Sequence, residues 1–433
     1  MRPLIILTLF SLIACTPSGD RDLLEELMLA SPKMQPYLDK AETYEIQILY
    51  TQIDRDENNR PSFTSHSFRL DSTQYFYPAS TVKMPAAILA MEKINQLSKT
   101  SAGAGLTIHT PLRIDSARVP QIPVVADSTS ENGLPSIAHY ARKIFVVSNN
   151  DAHNRLYEFL GQDYFNDQLH TKGYDDTKIV HRLGGEGVPF GVAENRYTNA
   201  FTFYSDDPQQ PIYQQSEVIA TNDYSGMPIR NTLKGKGYKS NGELINEPKD
   251  FSTKNFFPLH NMQDILKAVL FPEAVPEQAR FDLAKADYPK LYKWMGMKPR
   301  ESRYPDYSIE KEADGSDHFY DSYVKFFMFG TSKDPMPENI RIFNKVGWAY
   351  GYLTDCSYVV DFDKNVEFLL AATIHVNENQ IYNDDTYEYE TVGLPFFEHL
   401  GQLIYDFEVK RERATTPDLS RFRVDFDERT VLK

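Results

Sequence analysis

Between Val82 and Ile94 the apolar residues Val82, Ala86, Leu89, Ala90 and Ile94 recur at the helical interval, which predicts an amphipathic helix with one buried stripe. The same periodicity predicts helices at 21–30, 136–145, 151–160, 162–171, 260–271, within 281–295 and at 394–409. Strands are predicted where apolar residues alternate or run together: 44–55 and 62–70, joined by the polar turn DENNRP, and later IRIFNKVGW, YLTDCSYVVDF and VEFLLAATIHV in succession. Strands at both ends of the chain around a helical middle imply an α/β fold of the α+β kind. One antiparallel sheet is built from the two termini, with flanking helices and an inserted helical lobe. From 184 to 255 the periodicity gives way to Gly, Asn, Pro and Tyr-rich sequence that reads as hairpins or long loops. No internal repeat and no low-complexity tract interrupts the chain.

The first residues stand apart. MRPLIILTLFSLIAC has a positive start at Arg2, an apolar run from Leu4 to Ile13 and a small residue before Cys15, the pattern of a secretory signal too short to span a membrane. The tetrad LIAC resembles a bacterial lipobox. It implies removal of residues 1–14 and a lipid anchor on Cys15, hence an exported chain held in the bacterial cell envelope, on the periplasmic side or at the cell surface. Cys356 is the other cysteine, so an acylated Cys15 leaves no internal disulfide, and stability must come from packing. A composition of 41% hydrophobic and 25% charged residues suits a packed core. The net charge of −15 argues against nucleic acid as a partner. It offers no attraction to anionic lipid either, so attachment to a membrane rests on the anchor.

Candidate chemistry begins at the helix. Ser80 and Lys83 sit three apart at its start and would share a face; the plain reading is an N-cap and a solvated lysine, the sharper one a nucleophile with an amine to take its proton. Ser-x-x-Lys also occurs at Ser308–Lys311 and Ser322–Lys325, but there in charged or aromatic surroundings rather than at the head of an Ala/Leu/Ile helix. Pro85 would release the carbonyl of Thr81 if the helix has already begun there. Two further short motifs lie in informative places. Ser148-Asn149-Asn150 falls between two predicted helices, where capping is the plain explanation, and Lys345-Val346-Gly347 falls in the first of the late strands, where Lys345 could be an edge gatekeeper.

In order and context, STVK, SNN and KVG resemble the S-x-x-K, S-x-N and K-T-G motifs of the serine β-lactamase and penicillin-binding protein superfamily. The resemblance implies a single β-lactamase/transpeptidase-like domain over 15–433, with insertions near 184–255 and 298–338. It implies Ser80 as the acylated nucleophile, Lys83 as its base and Ser148 as a proton relay toward the leaving nitrogen. Asn150 would bind the substrate's amide side chain and help hold Lys83, Lys345 would supply positive charge near Ser148, and Gly347 would let substrate lie along the strand. The backbone N–H groups of Ser80 and Trp348 would form the oxyanion hole. Glu186, with Glu194 as rival, would activate the deacylating water.

Val346 stands where the family carries a hydroxyl that helps bind the carboxylate of penicillin-type substrates. Three readings stay open: a β-lactamase-like hydrolase of a β-lactam or related amide or ester; a D-alanyl peptidase, penicillin-binding protein or esterase; and a non-catalytic envelope protein binding through 184–255. The expected partner is a small-molecule or peptidoglycan-type substrate, and the chain is expected to be a monomer. No H-E-x-x-H, paired-cysteine or P-loop pattern occurs, so no metal and no cofactor are expected.

Overall fold

A computed structural model of the chain describes residues 22–184, 191–205 and 210–429; Cys15, the segment before it and Glu186 lie outside the described residues. Helix α1 (Leu23–Leu29), capped by Asp22, precedes strands β1 (Gln47–Arg55) and β2 (Pro61–Phe68). A 3₁₀ turn, Ala79–Val82, leads into α2 (Lys83–Ser98). Helices α3 (Ile137–Val147), α4 (Asn150–Leu160), α5 (Gln162–Thr171), α6 (Leu259–Leu270) and α7 (Tyr288–Gly296) follow. The chain closes with strands β3 (Ile340–Ala349), β4 (Tyr352–Asp361) and β5 (Val366–His375) and helix α8 (Leu394–Lys410).

The five strands form one antiparallel sheet in the order β3-β4-β5-β1-β2 with helices on both faces, the α+β architecture expected from the sequence. Its two halves meet where β5 pairs with β1, in a register that sets Tyr50 opposite Leu370. On one face Ile48, Leu353, Phe368 and Leu370 pack against Leu24 and Met28 of α1 and Phe396, Leu400 and Ile404 of α8. Leu400 and Ile404 are fully buried, about 1.5–3 kcal/mol each, which is why α8 is a structural layer and not an appendage. On the other face Leu49, Tyr358, Leu369 and Ala371 meet Ile265, Leu266 and Val269 of α6. Because both faces are covered, β4 is buried along its whole length, and its polar members Thr354, Asp355, Ser357 and Asp361 are all hydrogen-bonded there.

Two sequence expectations need correction. Helix α2 is buried from Lys83 through Glu92, not along one stripe. It runs through the middle of the lobe against α3, α4 and α5, and Ala86, Ala87 and Ala90 let its neighbours approach on every side. The helix expected within 281–295 begins at Tyr288, with Pro289 in its first turn, where a missing N–H costs nothing. Pro85 is accommodated in the same way. The α-helix starts at Lys83, so Pro85 lies in the first turn, and the carbonyl of Thr81 accepts from the Lys83 N–H instead. The 184–255 region supplies short strands, as its composition suggests: Ala200–Tyr204 between Leu112–Asp115 and Pro211–Gln215, and a Gly237–Ser240/Glu243–Ile245 hairpin. Among the described residues no helix is long and apolar enough to cross a membrane.

Candidate active site

The backbone around Ser80 is set by two constraints. Ala79, directly before it, adopts a left-handed conformation at φ 45°, a strained geometry for a residue with a Cβ and one typical of sites where the surroundings dictate the turn. Edge strand β3 supplies those surroundings. A Cβ on Gly347 would sit 2.4 Å from the Pro78 carbonyl oxygen and 3.0 Å from the Ser80 nitrogen, so only glycine lets β3 lie this close to the serine turn.

Ser148 and Asn150 reach the site through a division of labour at the α3–α4 junction. Ser148 ends α3 in the left-handed region at φ 58°, and it is Asn149 that caps α4, its Oδ1 accepting from the Ala152 N–H at 2.8 Å. The capping role therefore falls on the middle residue of the motif, and Ser148 and Asn150 are left to face Lys83. The Lys83 amine contacts the Ser148 carbonyl, the Ser148 Oγ at 3.3 Å and Asn150 Oδ1 at 2.6 Å. Lys345, expected at a strand edge, is buried; its Nζ donates to Ser148 Oγ at 2.7 Å and to the Val346 carbonyl at 2.8 Å.

The Lys83 amine is placed to donate to the Ser148 carbonyl, Ser148 Oγ and Asn150 Oδ1, and Ser148 Oγ also accepts from Lys345. Electrostatics favour the neutral form of Lys83. Burial, reinforced by the nearby Lys345 charge, holds the Lys83 amine well below 10.5. Burial also pushes Lys345 down to about 7, against the pull of Asp355 and with help from Lys325. His153, buried behind the site with neither ring nitrogen hydrogen-bonded, is held well below the usual histidine value chiefly by burial.

Ser80 is partly exposed in a cleft of about 210 Å³ that also contains Ser148 and Asn150. The rest of its lining is Val147, Tyr323, Val324, Phe326, Val346 and Trp348. The Trp348 ring is 44% exposed and stacks between Phe326 at 6.1 Å and Tyr389 at 5.8 Å. The hydrogen bonds of the Lys83 amine go to Ser148 and Asn150, not to Ser80 Oγ.

Sequence reasoning missed Tyr323, Val324 and Phe326, which come from the segment read as an insertion near 298–338. The Ser-x-x-Lys copy at Ser322–Lys325 holds them in place. Ser322 is occupied by the Ser332 carbonyl, and Lys325 is fully buried with its Nζ on the Met295 carbonyl and Asn344 Oδ1, both at 2.6 Å. Asn344 returns a bond to the Val324 carbonyl, and Asp355 accepts from Asn344 and from the Phe326 N–H. Burial pushes the Lys325 amine down and the Asp355 carboxyl up. The other candidates lie elsewhere. Ser308 bonds Asp306, and Glu194 pairs with Arg118 at 3.3 Å. A separate cavity of about 330 Å³, lined by Tyr77, His181, Lys254 and Tyr350 among others, shares no lining residue with the Ser80 cleft.

Comparison with known proteins points the same way as the motifs. Residues 30–207 match the model of a family described as the β-lactamase enzyme family, a span that contains Ser80, Lys83, Ser148 and Asn150. The resemblance to serine β-lactamases is thereby borne out. No curated relative matches the chain. Solved structures similar to it include a β-lactamase from Sphaerobacter thermophilus (12% identity, TM-score 0.42, 90% of this chain and 98% of that one). Others are a β-lactamase from Xanthomonas campestris (12%, 0.45, 88% and 98%) and a class A β-lactamase from Clostridium kluyveri (12%, 0.42, 86% and 97%).

Proposed function

We propose that this β-lactamase-like chain is a serine hydrolase that forms an acyl-enzyme on Ser80 and cleaves a β-lactam or a related amide or ester. The observation that carries the proposal is the convergence of Lys83 and Lys345 on Ser148 beside a cleft containing Ser80. Ser80 Oγ attacks the carbonyl carbon and its proton passes to the neutral Lys83 amine. The Ser148 hydroxyl, positioned by the Lys345 ammonium, carries a proton to the leaving nitrogen or oxygen as the acyl bond breaks. The N–H groups of Ser80 and Trp348 hold the oxyanion. Water then releases the acyl group, with Glu186 as the proposed base. The chain is further proposed to be exported and anchored through Cys15, meeting its small-molecule or peptidoglycan-type substrate in the envelope.

Intact-protein mass spectrometry of the chain from Thr16 onward, mixed with penicillin or nitrocefin and followed over time, tests the reading. The expected result is an adduct that is absent from Ser80→Ala; clearance with product supports β-lactamase-type turnover, and persistence favours a penicillin-binding or peptidase-like enzyme. If no β-lactam, ester or fluorophosphonate modifies Ser80, the alternative of a non-catalytic binding protein takes its place.

A pH profile adds an independent check. Lys345 is charged only below about 7, so kcat/KM is expected to fall as pH rises through that value. Lys345→Met is expected to lower kcat/KM by about 100-fold and to lose that alkaline limb. A Met variant that keeps the limb would assign it to another group.

A further inference from the structure

The Ser80 cleft lacks something a carboxylate-bearing substrate needs. None of the described side chains that line it is charged: Ser80, Ser148, Asn150 and the Tyr323 phenol are its polar members, and Val147, Val324, Phe326, Val346 and Trp348 make the remainder. Lys345 is the nearest candidate cation on β3, but the residue is 2% exposed, is not among the cleft's lining residues, and its Nζ is already engaged by the Ser148 hydroxyl and the Val346 carbonyl. A carboxylate seated against Val346 would give up its hydration with no guanidinium or ammonium to replace it. Asn150 faces Lys83 through Oδ1, which leaves its amide N–H₂ as a donor, and a donor of that kind suits a neutral carbonyl.

The apolar lining is also preformed. The Trp348 ring, exposed at the mouth and stacked with Phe326 and Tyr389, offers a flat aromatic surface. Val324 and Phe326 are fixed by backbone bonds to Asn344 and Asp355 beneath the edge strand. We infer that the cleft selects acyl donors whose group beside the scissile bond is uncharged and apolar or aromatic, a neutral aryl ester or amide, over donors that carry a carboxylate there. This rests on the reading of Ser80 as the acylated nucleophile. The bond broken is the acyl C–O or C–N bond, the acyl group passes to Ser80 Oγ, and the displaced serine proton leaves with the alcohol or amine.

The test uses phenyl phenylacetate and 3-carboxyphenyl phenylacetate, whose leaving phenols are nearly matched in acidity, with a neutral fluorophosphonate as a separate probe of Ser80. The full chain from Thr16 is expected to hydrolyse the neutral ester with kcat/KM at least about tenfold above that of the carboxylate ester. Trp348→Arg keeps the backbone N–H and sets a cation at the mouth; it is expected to narrow that ratio by about fivefold, the scale of one exposed charge pair. Equal rates, a preference for the carboxylate ester, or a ratio unmoved by Trp348→Arg would overturn the inference. So would labelling of Ser80 by the fluorophosphonate with neither ester consumed. Absence of labelling overturns the serine reading itself, and the inference falls with it.

Discussion

Lys83→Met is expected to slow acylation of Ser80 by about 10³-fold while leaving the protein folded, because it removes the base and keeps the volume of the side chain. The stability arm of the result has a definite sign. The folded chain holds Lys83 well below 10.5, so in the window between its folded value and 10.5 the unfolded chain binds a proton that the folded chain does not. Folding is therefore opposed by this group at low pH, and that opposition fades as pH rises through the window. Methionine has no such term. Its benefit at neutral pH is offset in part by the Ser148 carbonyl and Asn150 Oδ1, which lose their donor. Thermal unfolding of wild type and variant across pH should show a pH-dependent gap that narrows toward alkaline pH. Stopped-flow acylation at matched pH measures the rate effect, and a variant that acylates within tenfold of wild type would remove Lys83 from the role of base.

Gly347→Ala should be nearly as damaging through one added methyl group. Its Cβ would collide with the Pro78 carbonyl oxygen and crowd the Ser80 nitrogen, both backbone atoms of a turn already fixed by the left-handed Ala79. Either β3 moves outward or the serine turn does. Overpacking of this kind costs about 1–3 kcal/mol, and an ångström of misplacement between nucleophile and oxyanion donors costs about 100-fold in rate. Calorimetry and kcat/KM on an activated ester measure the two effects, and wild-type values in both would mean that β3 is free to adjust against the turn.

Much of the scaffold was legible because its signals are local. The periodicities of α3, α4, α6 and α8 and the alternating or apolar patterns of β3, β4 and β5 each lie within 17 consecutive residues or fewer. The polar half of the site was legible too, since STVK, SNN and KVG are contiguous. What escaped depends on chain segments that meet only in the fold. Nothing near Ser148 says that Asn149 will take the cap, and nothing near Lys325 says that its amine will be buried against Asn344 rather than solvated. The aromatic wall joins Phe326, Trp348 and Tyr389 from three elements, a contact without a sequence signature. The 3₁₀ turn at Ala79–Val82 was hidden for another reason: it is imposed by β3, more than 260 residues later in the sequence.

The pairing of β5 with β1 has a temporal meaning as well. Helices α2 to α7 form one continuous stretch of chain with many neighbouring contacts, whereas the central seam of the sheet joins residues such as Gln47 and Thr373 from opposite ends. Local contacts form early and distant ones late, so a chain emerging from synthesis can assemble its helical lobe while the sheet still has no second half. Until the last hundred residues arrive, the serine turn has no β3 against it and Ser148 has no Lys345. On the proposed reading, nucleophile and relay can pair only after β3 has joined the sheet, so the proposed nucleophile stays unpaired in a partly made molecule.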